Sequence, residues 1–333
     1  MKKFMGSVMS VNIYNPFYLL SGFLLIGGIL VTLSTDSKIS GWLGMEINVM
    51  GFLGVLSVRG FMNISVGLKY FIIQVLGSGL FLMGVLVFYS GYFSLNHLML
   101  QVSGWMVEMG LFCKAGIFPF HGWVPSVINS GDWISGWLVM SLQKLAPIIM
   151  VSVWSSSLFI YMGLVGLSVV GSLGGLNQMS VRGILAYSSF VHGGWMLVAL
   201  IHSNELFFLY FLGYMVQLSV VVGICYDLDV QKSASMKMSF LGGVMSLSLG
   251  GLPPMGGFLF KLSVFLSVSN LGVLVAPVVG SVVSLLFYLR MMNGFMLGHS
   301  LGWSNSLASM ASLFLVFNGV CYIGFGMIFG LFS

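Results

Sequence analysis

Four ionisable side chains, Glu46, Lys114, Lys144 and Lys261, lie within or beside long apolar stretches of a 333-residue chain with almost no other charge. Only 6% of its residues are charged and 58% are apolar. A charge at the bilayer centre costs roughly 2.5–3.5 kcal/mol even on the lenient insertion scale. Residues kept there face a polar interior, find partners and mark a path for ions or protons. The chemistry suggested is proton handling. Burial favours the neutral form of a lysine and a nearby carboxylate favours the charged form, so moving or neutralising the carboxylate releases the lysine's proton.

Apolar helices must position these groups. The mean hydropathy of +1.07 excludes a soluble domain and implies an all-α polytopic bundle. The short alternating segments of a membrane β-barrel are absent. Apolar windows predict about eleven transmembrane helices. They fall near 17–34, 41–58, 69–90, 95–117, 133–153, 158–175, 184–202, 205–226, 239–259, 270–291 and 307–331. Lys2 and Lys3 ahead of the first window give it the look of a signal peptide, but no small-residue cleavage site stands out, and it is expected to be the first helix. With the N-terminus on side one, Lys2, Lys3, Arg59, Lys69, Arg182, Lys232, Lys237 and Arg290 share that side, while Lys38 lies on the other. The imbalance fits the positive-inside rule, so side one is expected to be the cytoplasm or a mitochondrial matrix.

Two segments interrupt the helical pattern: Lys114 to Pro125, with Pro119 and Gly122, and Gly250 to Lys261, with Pro253, Pro254 and Gly257. Gly116, Pro119, Gly122 and Trp123 align with Gly251, Pro254, Gly257 and Phe258 at a constant offset of 135 residues. Proline removes a backbone donor and glycine loosens a helix, so each segment is expected to contain a discontinuous helix. Matching interruptions in two halves point to an internal repeat with a site near the midplane. The expected organisation is a single transmembrane domain over 1–333, with repeats at about 17–153 and 158–291 and a last helix at 307–331.

Each candidate also has a blander reading. Glu46 is a few positions from Gly41 and could be a helix-end residue reaching water, and Lys114 or Lys261 could anchor a helix end by snorkelling. Lys144, about a dozen positions into its predicted helix, is harder to explain that way. His192 is a possible proton relay, since its side chain titrates near neutral pH, or a packing residue. His121 is expected to order the first break. Glu108 lies six residues before Lys114, off its face, and has no assigned role. Asp36, Asp132, Glu205, Asp227 and Asp229 read as loop residues. Cys113, Cys225 and Cys321 are widely spaced and form no CxxC pair. Phosphate, dinucleotide and HExxH metal motifs are absent, so no metal or cofactor site and no nucleic-acid partner is expected.

Taken together, several motifs resemble a known family. These are Lys69-Tyr70-Phe71 with Gln74, Lys114 with residues 119–125, Gln143 to Pro147, Gly175 to Gln178, Arg182, Ala186 to Ser189, Leu249 to Pro254 ahead of Gly257, Phe258 and Lys261, and Tyr288 with Arg290. In order and spacing, from about Gly41 to Arg290, the chain is similar to the chain 2 family of respiratory complex I, the mitochondrial NADH–ubiquinone oxidoreductase. The resemblance implies an antiporter-like fold of two inverted repeats, each with a discontinuous helix. It implies that Glu46, Lys114, Lys144 and Lys261 carry proton translocation and that His192 is the family's histidine after the Tyr-Ser-Ser motif. It implies other membrane-arm subunits, lipid and protons as partners, with NADH, FMN, iron–sulfur clusters and ubiquinone handled elsewhere in the complex. It also implies a multi-pass protein of the mitochondrial inner membrane with a matrix-side N-terminus. This chain departs from the family's common pattern at Gly183, Ser126 and Phe260, where a basic residue, an acid and a proline are frequent. A stand-alone cation/proton antiporter of related fold, and a scaffold whose charges only pair helices, are the alternatives.

Overall fold

In a computed structural model of the chain, the structure describes residues 16–35, 37–58, 64–94, 97–154, 157–231 and 236–297. The described residues are helical and contain no strand. In order the helices are α1 (Pro16–Leu33), α2 (Lys38–Val58), α3 (Ile64–Ser94), α4 (His97–Ala115), α5 (Trp123–Ser130), α6 (Trp133–Met140) and α7 (Leu142–Trp154). They continue as α8 (Ser157–Leu176), α9 (Val181–His202), α10 (Asn204–Gln231), α11 (Met236–Gly250), α12 (Gly256–Ser267) and α13 (Leu271–Leu297). A helix satisfies its own backbone, which lipid cannot do, and so apolar sequence of this length adopts it.

Eight helical stretches among the described residues are long and apolar enough to cross a membrane, the α6–α7 stretch Trp133–Trp154 being one of them. Helix α4, which carries Gln101, Ser103, Glu108 and Lys114, is less apolar. Helices α11 and α12 are shorter because the predicted span 239–259 is divided after Gly250. The predicted helix at 307–331 lies outside the described residues.

The helices fall into two compact units, and the boundary between Leu167 and Ser168 lies inside α8. In the first unit, close backbone approach is bought with glycine. A Cβ at Gly28 of α1 would lie 2.5 Å from the Asn48 nitrogen of α2, and one at Gly110 of α4 would lie 2.7 Å from the Gly77 carbonyl oxygen of α3. The central stretch of this unit is α6–α7, 83% buried, whereas α1 is 28% buried. In the second unit the central element is α9, 89% buried, started by Ser180, whose hydroxyl accepts from the Gly183 N–H at 3.1 Å. Arg290 of α13 donates to the Leu176 carbonyl at the end of α8, at 2.9 Å.

Six buried serines share one arrangement. Ser78, Ser103, Ser188, Ser189, Ser246 and Ser284 each donate a hydroxyl proton to the carbonyl three residues earlier in their own helix, at 2.6–2.8 Å. These six hydroxyls each find an acceptor within their own helix.

Some of the expected loop acids are placed differently. Glu205 lies in the first turn of α10, and Asp227, also in α10, is 6% exposed. The apolar window ends near 226, but the helix continues to Gln231. Asp229 falls in the same helix, and Asp132 directly precedes α6. Asp36 lies outside the described residues.

Candidate functional site

In the first unit Lys114 and Glu46 meet directly, and Lys144 is buried elsewhere in the same unit. Lys114 sits in the last turn of α4, where the negative end of the helix dipole favours a cation. Its Nζ lies 2.6 Å from Oε1 of Glu46 on α2, with side-chain exposures of 1% and 24%. The pairing is thus a charge-assisted hydrogen bond, closed on the lysine side and partly open on the glutamate side.

The chain turns directly after Lys114. Gly116 has φ +68°, a left-handed conformation that ends α4 and favours glycine. Its N–H donates to the Cys113 carbonyl at 3.3 Å, Ile117 donates to Phe112 at 2.9 Å, and Phe120 donates to Ile117 at 2.8 Å. The carbonyls left at the end of α4 are met from outside: the Trp123 indole donates to Cys113 at 3.2 Å and the Gln74 amide of α3 donates to Lys114 at 3.2 Å. The Phe118–Pro119 peptide is cis. His121 Nδ1 lies 3.1 Å from the Pro119 carbonyl, within the turn as expected. Gly122 immediately precedes α5 with ordinary helical φ, and a Cβ there would meet nothing within 4 Å.

Lys144 is 5% exposed, but it is not deep within an unbroken helix. The predicted helix 133–153 breaks at Ser141, with φ −114° and ψ −90°, and Lys144 falls in the first turn of α7. Pro147, inside α7, has no N–H for the Gln143 carbonyl. Beside Lys144, Gln143 accepts a hydrogen bond from the Tyr70 hydroxyl of α3 at 2.6 Å. Tyr70 is fully buried, edge-on to Phe52 at 4.6 Å and to Trp123 at 5.8 Å between ring centroids. Glu108 on α4 is 2% exposed, as deeply buried as Lys114.

In the second unit the break repeats this backbone pattern at the 135-residue offset. Gly251 has φ +80°. Its N–H donates to Ser248 at 3.0 Å, Leu252 donates to Leu247 at 3.5 Å, and Met255 donates to Leu252 at 2.8 Å. Pro253 and Pro254 occupy the turn, and α12 resumes at Gly256. Gly257 is already inside α12, where a Cβ would fall onto the Ser248 carbonyl oxygen; the glycine allows α12 to touch the end of α11. Lys261, 7% exposed, turns back and donates from Nζ to the Gly250 carbonyl at 2.7 Å. Phe260 fills the space above Gly213 of α10, where a Cβ would lie 2.6 Å from a ring carbon, so a glycine accommodates this departure.

His192, 4% exposed on the central helix α9, is held at both ring nitrogens. Nδ1 lies 2.9 Å from the Tyr210 hydroxyl and Nε2 lies 3.3 Å from that of Tyr288, which Ser188 also engages. A neutral imidazole has one donor and one acceptor nitrogen, so it donates to one tyrosine and accepts from the other, and changing tautomer reverses the row. The ring of Tyr214 lies 4.7 Å away, and Tyr214, Gln217, Gly257 and Phe260 pack with His192 and Tyr210 around a tight gap. The roles of Tyr210, Tyr214 and Gln217 had no sequence signal beyond polarity in an apolar helix. Tyr288 had only its place in a motif. Among the described residues no three His, Cys, Asp or Glu side chains converge on a metal position.

A multi-pass helical membrane protein is defined by this fold, with an interrupted helix in each unit and buried lysines beside both interruptions. Residues 35–287 match the family NADH:quinone oxidoreductase/Mrp antiporter, TM. NADH-ubiquinone oxidoreductase chain 2 of Mytilus edulis is 37% identical over 269 residues, spanning 80% of this chain and 82% of the relative. That of Anopheles gambiae is 32% identical over 326 residues, spanning 92% and 95%. In fold, the chain is similar to one chain of respiratory complex I from Thermus thermophilus with bound aureothin, with a TM-score of 0.74 and 22% identity over 92% of this chain and 78% of that one. The chain belongs to the NADH:quinone oxidoreductase/Mrp antiporter transmembrane family and, within it, to the NADH-ubiquinone oxidoreductase chain 2 family.

Proposed function

We propose that this chain is a proton-translocating membrane subunit of respiratory complex I, and that Glu46, Lys114, Lys144 and Lys261 carry the proton, with His192 as a further relay. The observation that carries the reading is the buried Lys114–Glu46 pair at 2.6 Å beside a helix break, in a chain of the chain 2 family. While the pair is closed, the Glu46 carboxylate holds a proton on Lys114 Nζ. When the carboxylate is withdrawn or protonated, Lys114 gives up that proton and Lys144 accepts one, becoming an ammonium in turn. The trigger comes from electron transfer between NADH and ubiquinone in neighbouring subunits. FMN, iron–sulfur clusters, NADH and ubiquinone are bound there, and this chain contributes no redox group. The partners are the other membrane-arm subunits, the surrounding lipid and the protons themselves, in the mitochondrial inner membrane with the N-terminus on the matrix side.

Lys114→Met and Lys144→Met test the reading in a complex that still assembles. Both are expected to lower coupled NADH:ubiquinone turnover and proton pumping; normal values for both variants would overturn it. On a native gel, the chain is expected to migrate with a large band active in NADH oxidation.

A further inference from the structure

Helix α3 offers a connection between the Lys114 and Lys144 regions that depends on neither lysine side chain. Tyr70 and Gln74 are four residues apart and so share a face of α3. Gln74 donates to the Lys114 carbonyl at the end of α4, and Tyr70 donates to the Gln143 carboxamide at the start of α7. Four residues span about 6 Å of helix axis, so α3 holds the two interrupted helix ends about one turn apart. Gln143 adjoins Lys144, and its amide orientation follows from Tyr70: the oxygen accepts, so Nε2 is turned away. That nitrogen is buried and has no hydrogen-bond partner among the described residues. A donor left so carries a free-energy cost, which an acceptor such as water relieves.

We propose that Tyr70 and Gln143 are positioning residues for proton transfer from Lys114 to Lys144, Tyr70 fixing the Gln143 carboxamide so that its Nε2–H orients a water beside Lys144. The inference rests on the proton-transfer reading of the lysines. In the step, an N–H bond of the Lys114 ammonium breaks and an O–H bond forms on the water. That water releases a different proton to the neutral Lys144 amine. Gln143 donates throughout and does not ionise, so it steers the proton without storing it.

The test compares Tyr70→Phe, Gln143→Leu and Gln143→Glu with Lys114→Met in membranes holding the assembled complex. Tyr70→Phe and Gln143→Leu are expected to lower coupled turnover about two- to tenfold, the effect of one hydrogen bond. KM for NADH and ubiquinone should stay unchanged and the solvent deuterium isotope effect should rise. Gln143→Glu is expected to give a new pH dependence: near-normal turnover while the carboxyl is protonated, falling as it ionises and holds Lys144 charged. If Lys114→Met is impaired while Tyr70→Phe and Gln143→Leu turn over normally with an unchanged isotope effect, the inference fails and the reading of the lysines stands. If Lys114→Met is normal as well, both fall. Should Tyr70→Phe not assemble, an unaltered pH profile in Gln143→Glu overturns the inference.

Discussion

At the first break the carbonyls that end α4 are met by the Trp123 indole and the Gln74 amide, whereas at the second the carbonyl that ends α11 is met by the ammonium of Lys261. The turns share the left-handed glycine and the same three backbone hydrogen bonds at one offset. The lysines are not equivalent, because Lys114 precedes its turn and Lys261 follows its own. Neutral donors at the first break leave the Lys114 ammonium for a carboxylate on another helix. At the second break, the ammonium closes the helix end itself. One backbone device thus supports two electrostatic arrangements: an ion pair that opening would separate, and a cation lodged against a helix C-terminus, where the dipole favours it.

The largest expected effect breaks the first arrangement. Glu46→Ala removes the carboxylate that holds a proton on the buried Lys114, which must then lose its charge or stay unpaired, and should destabilise the assembled protein by about 3 kcal/mol. Adding Lys114→Met should recover most of that loss, read as the thermal midpoint of the complex, but not proton pumping. Gly257→Ala forces a methyl onto the Ser248 carbonyl and should cost about 3 kcal/mol, read as a fall in assembled complex on a native gel. Lys261→Met removes a charged donor from its helix end and Trp123→Phe a neutral one. Expected losses are about 1.5–3 and about 0.5–1.5 kcal/mol, and equal losses in thermal midpoint would erase the distinction between the breaks. Gly116→Ala should cost about 1–2 kcal/mol for its left-handed φ. Gly122→Ala, with open space around it, should stay within about 0.5 kcal/mol of the parent in the same measurement.

Much of this was legible in residue type and spacing. The alignment of Gly116, Pro119 and Gly122 with Gly251, Pro254 and Gly257 located both interruptions, because left-handed backbone and missing donors leave a sequence mark. It treated Gly122 and Gly257 as alike, however, and only the packing of α12 on α11 separates them. The break at Ser141 leaves no mark in the surrounding apolar run, so from sequence Lys144 reads as deeper in a helix than it is. Hydropathy falls before α10 ends, so in the sequence Asp227 reads as a loop residue. The Tyr210–His192–Tyr288 row could not be found from one sequence: its members lie on three helices, and an aromatic residue in an apolar helix looks the same whether it packs or hydrogen-bonds. Likewise, Tyr70 and Gln143 are 73 positions apart and meet only through tertiary packing.

The serines bear on what a proton conductor must prevent. A hydroxyl whose proton is given to its own helix has none to hand to a neighbour, so Ser78, Ser103, Ser246 and Ser284 act as insulation despite their polarity. Leakage across such a protein would short-circuit the membrane it serves. On the proposed reading of the lysines and the imidazole row as proton carriers, hydroxyls occupied in this way help a serine-rich chain remain a poor conductor beside them.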